Sequence, residues 1–268
     1  MSSVESGFAE VNGTKLYYEM AGEGEAIVLI HGNGADTREW DDQFNTFVKH
    51  HKVLRYDARI YGKSAKPIEG VPYSHHEDLK ELMKHLGIAK AHIVGHSWGS
   101  GVAVDFVLAY PEMAHSLIPV GPWVFGYVSP SAKPLSSMFE EVRALIEKNE
   151  FKAATDVWID HVFAGVLDFI GPKRMREIGY DYSFWPFIHD DPVQYLEPPA
   201  LNRLMDITHP SLIITSEFDV ADCKEVADIM EEQIPNSRKV VIQDATHMMN
   251  VDQSEEFNRL VLEFIEGL

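Results

Sequence analysis

A series of short apolar runs constrains this chain more than any other feature: Ala26–Ile30, Val53–Tyr56, His92–Val94, Leu117–Val120, Leu212–Thr215 and Lys239–Ile242. They are rich in β-branched residues and lack strict alternation, the pattern of strands buried on both faces. Helical periodicity fills the stretches between them. Ser74-His75-His76-Glu77 reads as a capping box opening a helix with Leu79, Leu82, Met83 and Leu86 on one face, and Gly87 closes it. Ser254–Ile265 is a closing amphipathic helix with Phe257, Leu260, Val261 and Phe264 inward. Such alternation predicts an α/β fold with a mostly parallel central sheet flanked by helices. A hairpin precedes it, because Asn12-Gly13 sits between the alternating segments Phe8–Val11 and Lys15–Glu19.

The rhythm breaks between about Pro122 and Pro199, where helical patterns and aromatic residues replace the strands. The reading is a core built from residues 1–121 and 200–268, with 122–199 inserted as a helical cap within a single domain. Most of the insertion's aromatics are expected to form its own core.

Composition narrows the function classes. A net charge of −19, spread along the chain, disfavours nucleic acid, whose binders carry a basic stripe. The apolar runs are far too short to span a bilayer, and Met1–Gly22 has neither the basic start nor the apolar run of a signal peptide. Cys223, the one cysteine, leaves no intramolecular disulfide and is expected to pack as a small hydrophobe. A cytoplasmic protein without membrane or nucleic-acid partners is the expectation; the oligomeric state is open.

Chemistry concentrates in Gly95-His96-Ser97-Trp98-Gly99, which follows the strand at His92 and opens the apolar helix containing Val102, Ala103, Phe106 and Val107. A serine on such a strand–turn–helix elbow is a nucleophile candidate: flanking glycines let strand and helix approach, and Oγ stands clear of the sheet. The alternative is a turn whose serine only caps the helix. A serine hydroxyl needs a base, and most of the thirteen histidines have mundane readings. His50, His51, His75, His76 and His85 read as solvated. His247 directly follows the last strand, at the rim where open α/β sheets bind ligands. Asp219, just past Leu212–Phe218, is the carboxylate that would orient it. Its neighbours Glu217 and Asp222 are less well placed and expected to be solvated. Oxyanion donors are assigned to the backbone N–H groups of Trp98 and of Asn33, in the His31-Gly32-Asn33-Gly34 loop after an early strand. His31 reads as a buttress. Candidate substrate-lining residues are Trp98, Trp123, Phe125, Trp185 and Met248. No Cys/His cluster at zinc spacing and no phosphate-binding loop is present, so neither metal nor cofactor is expected.

These residues, with Tyr56-Asp57-Ala58-Arg59, Gly62, Ser64 and the segment Pro210–Asp219, resemble the α/β-hydrolase superfamily over nearly the whole chain. Within it the chain is similar to small bacterial capped esterases and to enol-lactone or carbon–carbon bond hydrolases. The resemblance implies the α/β-hydrolase fold, a helical cap, and a Ser97–His247–Asp219 triad in the chain order Ser, Asp, His. Serine at the elbow separates the chain from haloalkane dehalogenases and epoxide hydrolases, which carry aspartate there. Three positions depart from the usual pattern: Ile60, Ser216 and Thr246 stand where glycine is common. The leading expectation is hydrolysis of small carboxylic esters through an acyl-enzyme, the partner being a small-molecule ester or lactone. Enol-lactone or carbon–carbon hydrolysis, a hydroxynitrile lyase and a non-catalytic ligand-binding protein are the alternatives. A dicarboxylate substrate would call for a buried arginine among Arg38, Arg59, Arg143, Arg174 and Arg203.

Overall fold

The computed structural model describes residues 3–129 and 132–268. The six strands predicted from the apolar runs and the two of the predicted hairpin form one eight-stranded sheet in the order β1-β2-β4-β3-β5-β6-β7-β8. They are β1 (Glu5–Val11), β2 (Thr14–Ala21), β3 (Ala26–Ile30), β4 (Lys52–Tyr56), β5 (Ala91–His96), β6 (Ala114–Val120), β7 (Ser211–Phe218) and β8 (Ser237–Thr246). From β4 to β8 every pairing is parallel, while β1–β2 and β2–β4 are antiparallel. Asn12 and Gly13 both take positive φ (47° and 68°), as a tight hairpin turn between β1 and β2 requires.

Alternate residues of the parallel strands feed two cores. Ile27, Leu29, Val94, Ile118, Leu212 and Ile214 pack with α1 (Asp41–Phe47) and the closing helix. Val28, Ile30, Ile93 and Leu117 pack with α2 (His75–His85) and α3 (Trp98–Ala109) on the other side. Each large side chain buried this way contributes roughly 1.5–3 kcal/mol, which is why these runs read as continuous apolar stretches.

The capping box at Ser74 does not form. Ser74 occupies the N-cap position with extended backbone, but its side chain makes no capping bond. Glu77 is instead engaged by Lys80 at 3.0 Å and by the Tyr110 hydroxyl.

Between β6 and β7 the chain runs through α4 (Ala132–Glu147), α5 (Phe151–Val162), α6 (Ile170–Gly179) and the short α7 (Trp185–Ile188), with no strand among the described residues. Ile159, Phe163, Met175 and Ile178 from this segment share an apolar cluster with Ala35, Met248 and Val251 of the core. After β7 come α8 (Ala221–Gln233), then β8, α9 (Met249–Asp252) and α10 (Ser254–Glu266).

Candidate active site

Parallel strands put their carboxyl ends on one rim, so the residues immediately after β3, β5, β7 and β8 converge. Those residues are His31, Ser97, Asp219 and His247.

Ser97 carries φ 52° and ψ −120° between β5 and α3. A non-glycine residue held there is strained, and the surroundings over-determine it. Its N–H donates to the Val120 carbonyl at 2.8 Å. A side chain at Gly95 would overlap the backbone of Gly99, and one at Gly99 would overlap the carbonyls of Ile30 and His31. The glycines are thus required by close approach of backbone to backbone.

His247 Nδ1 lies 2.6 Å from Asp219 Oδ1. A carboxylate accepts, so Nδ1 carries the proton and Nε2 is left as the basic nitrogen. Asp219 also accepts from Thr215 Oγ1 (2.8 Å, to Oδ2) and from the Val220 N–H (2.8 Å, to Oδ1). Burial pushes its pKa up, but the His247 imidazole and these donors outweigh that and hold it below the usual carboxylate range. Glu217 is exposed, and its carboxylate accepts from the Asp244 N–H at 3.1 Å. Asp222, expected in solvent, is instead buried and lines the cavity beside Cys223, because the first turn of α8 packs inward. Burial, with the charges of Asp219 and Asp222, pushes the Cys223 thiol up and keeps it protonated.

The loop after β3 commits two of its own donors. Gly32 N–H donates to Glu39 Oε2 at 2.8 Å and Ala35 N–H to the Gly32 carbonyl at 3.2 Å. His31 Nδ1 faces the Gly32 carbonyl at 2.8 Å while its Nε2 accepts from the Ala58 N–H at 3.0 Å, the arrangement of a buttress. Asn33 lines the cavity, its Oδ1 held by the Tyr61 hydroxyl at 2.8 Å. Trp98 opens α3, where helix geometry leaves its N–H without an intrahelical acceptor.

A pair that the sequence did not suggest joins these loops. His96 Nε2 donates to the His247 carbonyl at 2.9 Å, and its Nδ1 lies 2.7 Å from Glu39 Oε1. The side chains of His96 and Glu39 are 3% and 0% exposed.

A cavity of about 230 Å³ opens on this rim. Gly32, Asn33, Ser97, His247 and Met248 form its floor with Trp123, and Phe139, Trp158, Ile159, Val162, Phe163 and Met175 from the helices after β6 complete the wall. Of the aromatic residues singled out in the sequence, Trp123 lines it. Phe125 does not: its ring lies against Gly101 and 4.4 Å from that of Tyr195. Trp185 is buried, with its ring stacked at 4.6 Å on His189. The Trp98 indole turns away, edge-to-face with His75 at 4.7 Å and 5.0 Å from Tyr61. That contact explains why His75, expected in solvent, is buried, with burial and nearby Arg59 pushing its pKa down to about 3. His76 and His51 are buried as well, whereas His50 and His85 are exposed. Trp158, Phe163 and Met175 were not anticipated. Their signal, apolar spacing on predicted helices, does not say which face meets the cavity.

The model of the alpha/beta hydrolase fold family matches residues 25–254. This chain belongs to that family. It is 25% identical over 284 residues to Epoxide hydrolase 4 of Homo sapiens, spanning 95% of this chain and 76% of that protein. Among solved structures it is similar to the enol-lactonase from Burkholderia xenovorans LB400, with a TM-score of 0.80 and 24% identity over 97% of this chain and 100% of that one. It is likewise similar to an esterase from Exiguobacterium antarcticum, with a TM-score of 0.81 and 23% identity over 98% of this chain and 100% of that one. No helix among the described residues is long and apolar enough to cross a membrane.

The three departures from the usual hydrolase pattern now have structural settings. Ile60 sits at φ 88°, a left-handed conformation that suits glycine and strains a β-branched residue. The other two meet each other. Ser216 Oγ donates to the Thr246 carbonyl at 2.7 Å, and Thr246 Oγ1 donates to Asp252 Oδ2 at 2.6 Å. In this hydrolase the Ser216 hydroxyl adds a bond to the β7–β8 pairing just before Asp219 and His247, and the Thr246 hydroxyl braces the His247 loop on α9.

Proposed function

We propose that the chain is a serine hydrolase of small, neutral carboxylic esters, acting through an acyl-enzyme. The observation that carries this reading is Ser97 on a strained elbow, opening on the same cavity as a His247 whose Nδ1 is held by buried Asp219. Ser97 Oγ attacks the ester carbonyl while His247 Nε2 takes its proton and returns it to the leaving alcohol. Asp219 fixes the tautomer and stabilises the imidazolium. The Asn33 and Trp98 amides hold the developing oxyanion, a contribution usually worth a few kcal/mol per donor. Water then attacks the acyl-enzyme with His247 again as base.

The chemistry of the wall supports a neutral substrate. No lysine or arginine lines the cavity. Arg59 is bound to Asp78 at 2.7 Å, Arg38 to Asp36 at 2.7 Å and Arg203 to Asp206 at 3.3 Å; Arg174 faces Asp42 at 3.7 Å, and Arg143 is exposed. A dicarboxylate would find the carboxylates of Glu39 and Asp222 there, and the His96 ring that also lines the cavity is already paired with Glu39. This favours simple esters or lactones over the dicarboxylates of carbon–carbon bond hydrolysis.

Treatment with a serine-directed fluorophosphonate tests the reading. One adduct per chain, located on Ser97 by peptide mass mapping and absent from Ser97→Ala, is the expected result. An intact chain that never reacts would sink it and favour a ligand-binding protein on a hydrolase fold.

A further inference from the structure

We infer that Asp219, Cys223 and His247 form an inhibitory site for a borderline divalent cation such as Zn²⁺ or Cd²⁺. One carboxylate oxygen, the thiol sulfur and one ring nitrogen lie within 4.8 Å of one another, all on buried residues. Carboxylate, thiolate and imidazole are the donors such ions select. The chain places them by local geometry: Asp219 directly follows β7, Cys223 lies one helical turn further on in α8, and His247 follows the neighbouring strand β8.

Two further observations point to an ion. Cys223 is 4% exposed and lines the active-site cavity, and its thiol makes no hydrogen bond among the described residues, so its sulfur is an uncommitted soft donor. The charge also suits an ion. A carboxylate, a thiolate and a neutral imidazole together cancel a divalent cation, and the buried Asp222 carboxylate beside Cys223 adds to the attraction for it. Cys223 and His247 both line the cavity, so water from it can complete a four-ligand set.

The consequence for catalysis follows from the tautomer. In the free protein His247 Nδ1 carries the proton shared with Asp219. The ion takes the Nδ1 lone pair, so that proton moves to Nε2. The thiol proton leaves to solvent as the metal–sulfur bond forms, giving a net release of one proton per ion. His247 with Nε2 protonated cannot accept the proton of Ser97, and the enzyme is silenced until a chelator removes the metal. The inhibitory consequence rests on the proposed triad; the binding site does not.

Cd²⁺ titration followed by ultraviolet absorbance tests the site directly. Because the chain has one cysteine, any thiolate-to-metal band reports Cys223 without need of a variant. The expected result is a band saturating at one Cd²⁺ per chain in wild type and in Ser97→Ala, with one proton released in weak buffer. Zn²⁺ should suppress p-nitrophenyl acetate turnover, with full recovery in EDTA and at least a tenfold loss of Zn²⁺ sensitivity in Cys223→Ser. Absence of the band at sub-millimolar Cd²⁺ would overturn the site, as would equal Zn²⁺ inhibition of wild type and Cys223→Ser. A band in a protein without ester turnover would uphold the site while overturning the esterase reading.

Discussion

His96 links Glu39 to the backbone of His247: its ring sits 4.6 Å from the His247 ring, donates to the His247 carbonyl and pairs with a fully buried carboxylate. Glu39 in turn holds the Gly32 amide next to Asn33. One buried pair therefore fixes both the proposed base and the proposed oxyanion loop. Burial pushes the His96 pKa down, but the adjacent Glu39 charge and contact, with the His247 carbonyl, raise it above its usual 6.5.

Removing Glu39 should be severe. Breaking a buried pair by deleting one partner typically costs about 3–5 kcal/mol, and Glu39→Ala is expected to lose that much in chemical denaturation. Glu39→Gln keeps the volume and one acceptor and should lose less. A histidine with a raised folded pKa contributes stability that is complete below its unfolded value and lost as pH rises through the folded one. The gap in melting temperature between wild type and Glu39→Gln should therefore be wide near about pH 6 and narrow at alkaline pH. A gap that stays constant across that range would show that no charge is held on His96.

Gly121 follows β6 with φ 47°, and a Cβ there would sit 2.9 Å from both Cε1 and Nδ1 of His247 and 3.4 Å from Asp219 Oδ2. Gly121→Ala must push the imidazole off its carboxylate. Misplacement on the order of an ångström can cost about 10²-fold in rate, so kcat should fall by roughly that factor with KM little changed. A variant with wild-type kcat would mean that His247 is not positioned as argued.

Trp158 lies over Gly34, where any side chain would overlap its ring, and it also lines the cavity. Truncating it opens space beside the oxyanion loop. Trp158→Ala should shift preference from p-nitrophenyl acetate toward octanoate, because each extra buried methylene is worth about 0.8 kcal/mol, or roughly fourfold in rate. Trp123→Ala should change the chain-length profile more than the melting temperature. Unchanged profiles in both variants would remove these residues from the acyl site.

The elements that carry the rim were legible because their signals are local. The elbow at Ser97 needs only a strand, two glycines and a helix, and Asp219 and His247 each directly follow a strand. The cavity wall was not legible. Trp158 and Met175 lie on helices, and Phe163 just past one, with apolar residues facing both the cavity and the insertion's own core, and spacing alone cannot separate the two. Phe125 and Trp185 look the same in sequence and pack elsewhere. Glu39 and His96 are distant in the chain and meet only because β3 and β5 are neighbours. Ser74 misled because its capping bond depended on Glu77, which Lys80 and Tyr110 engage instead.

Burst kinetics on p-nitrophenyl acetate, comparing wild type with Ser97→Ala, test the central claim most directly. The account predicts a burst of one p-nitrophenolate per chain followed by slower turnover, both abolished by the substitution. Turnover that persists in Ser97→Ala would contradict it, since the nucleophile would then lie elsewhere.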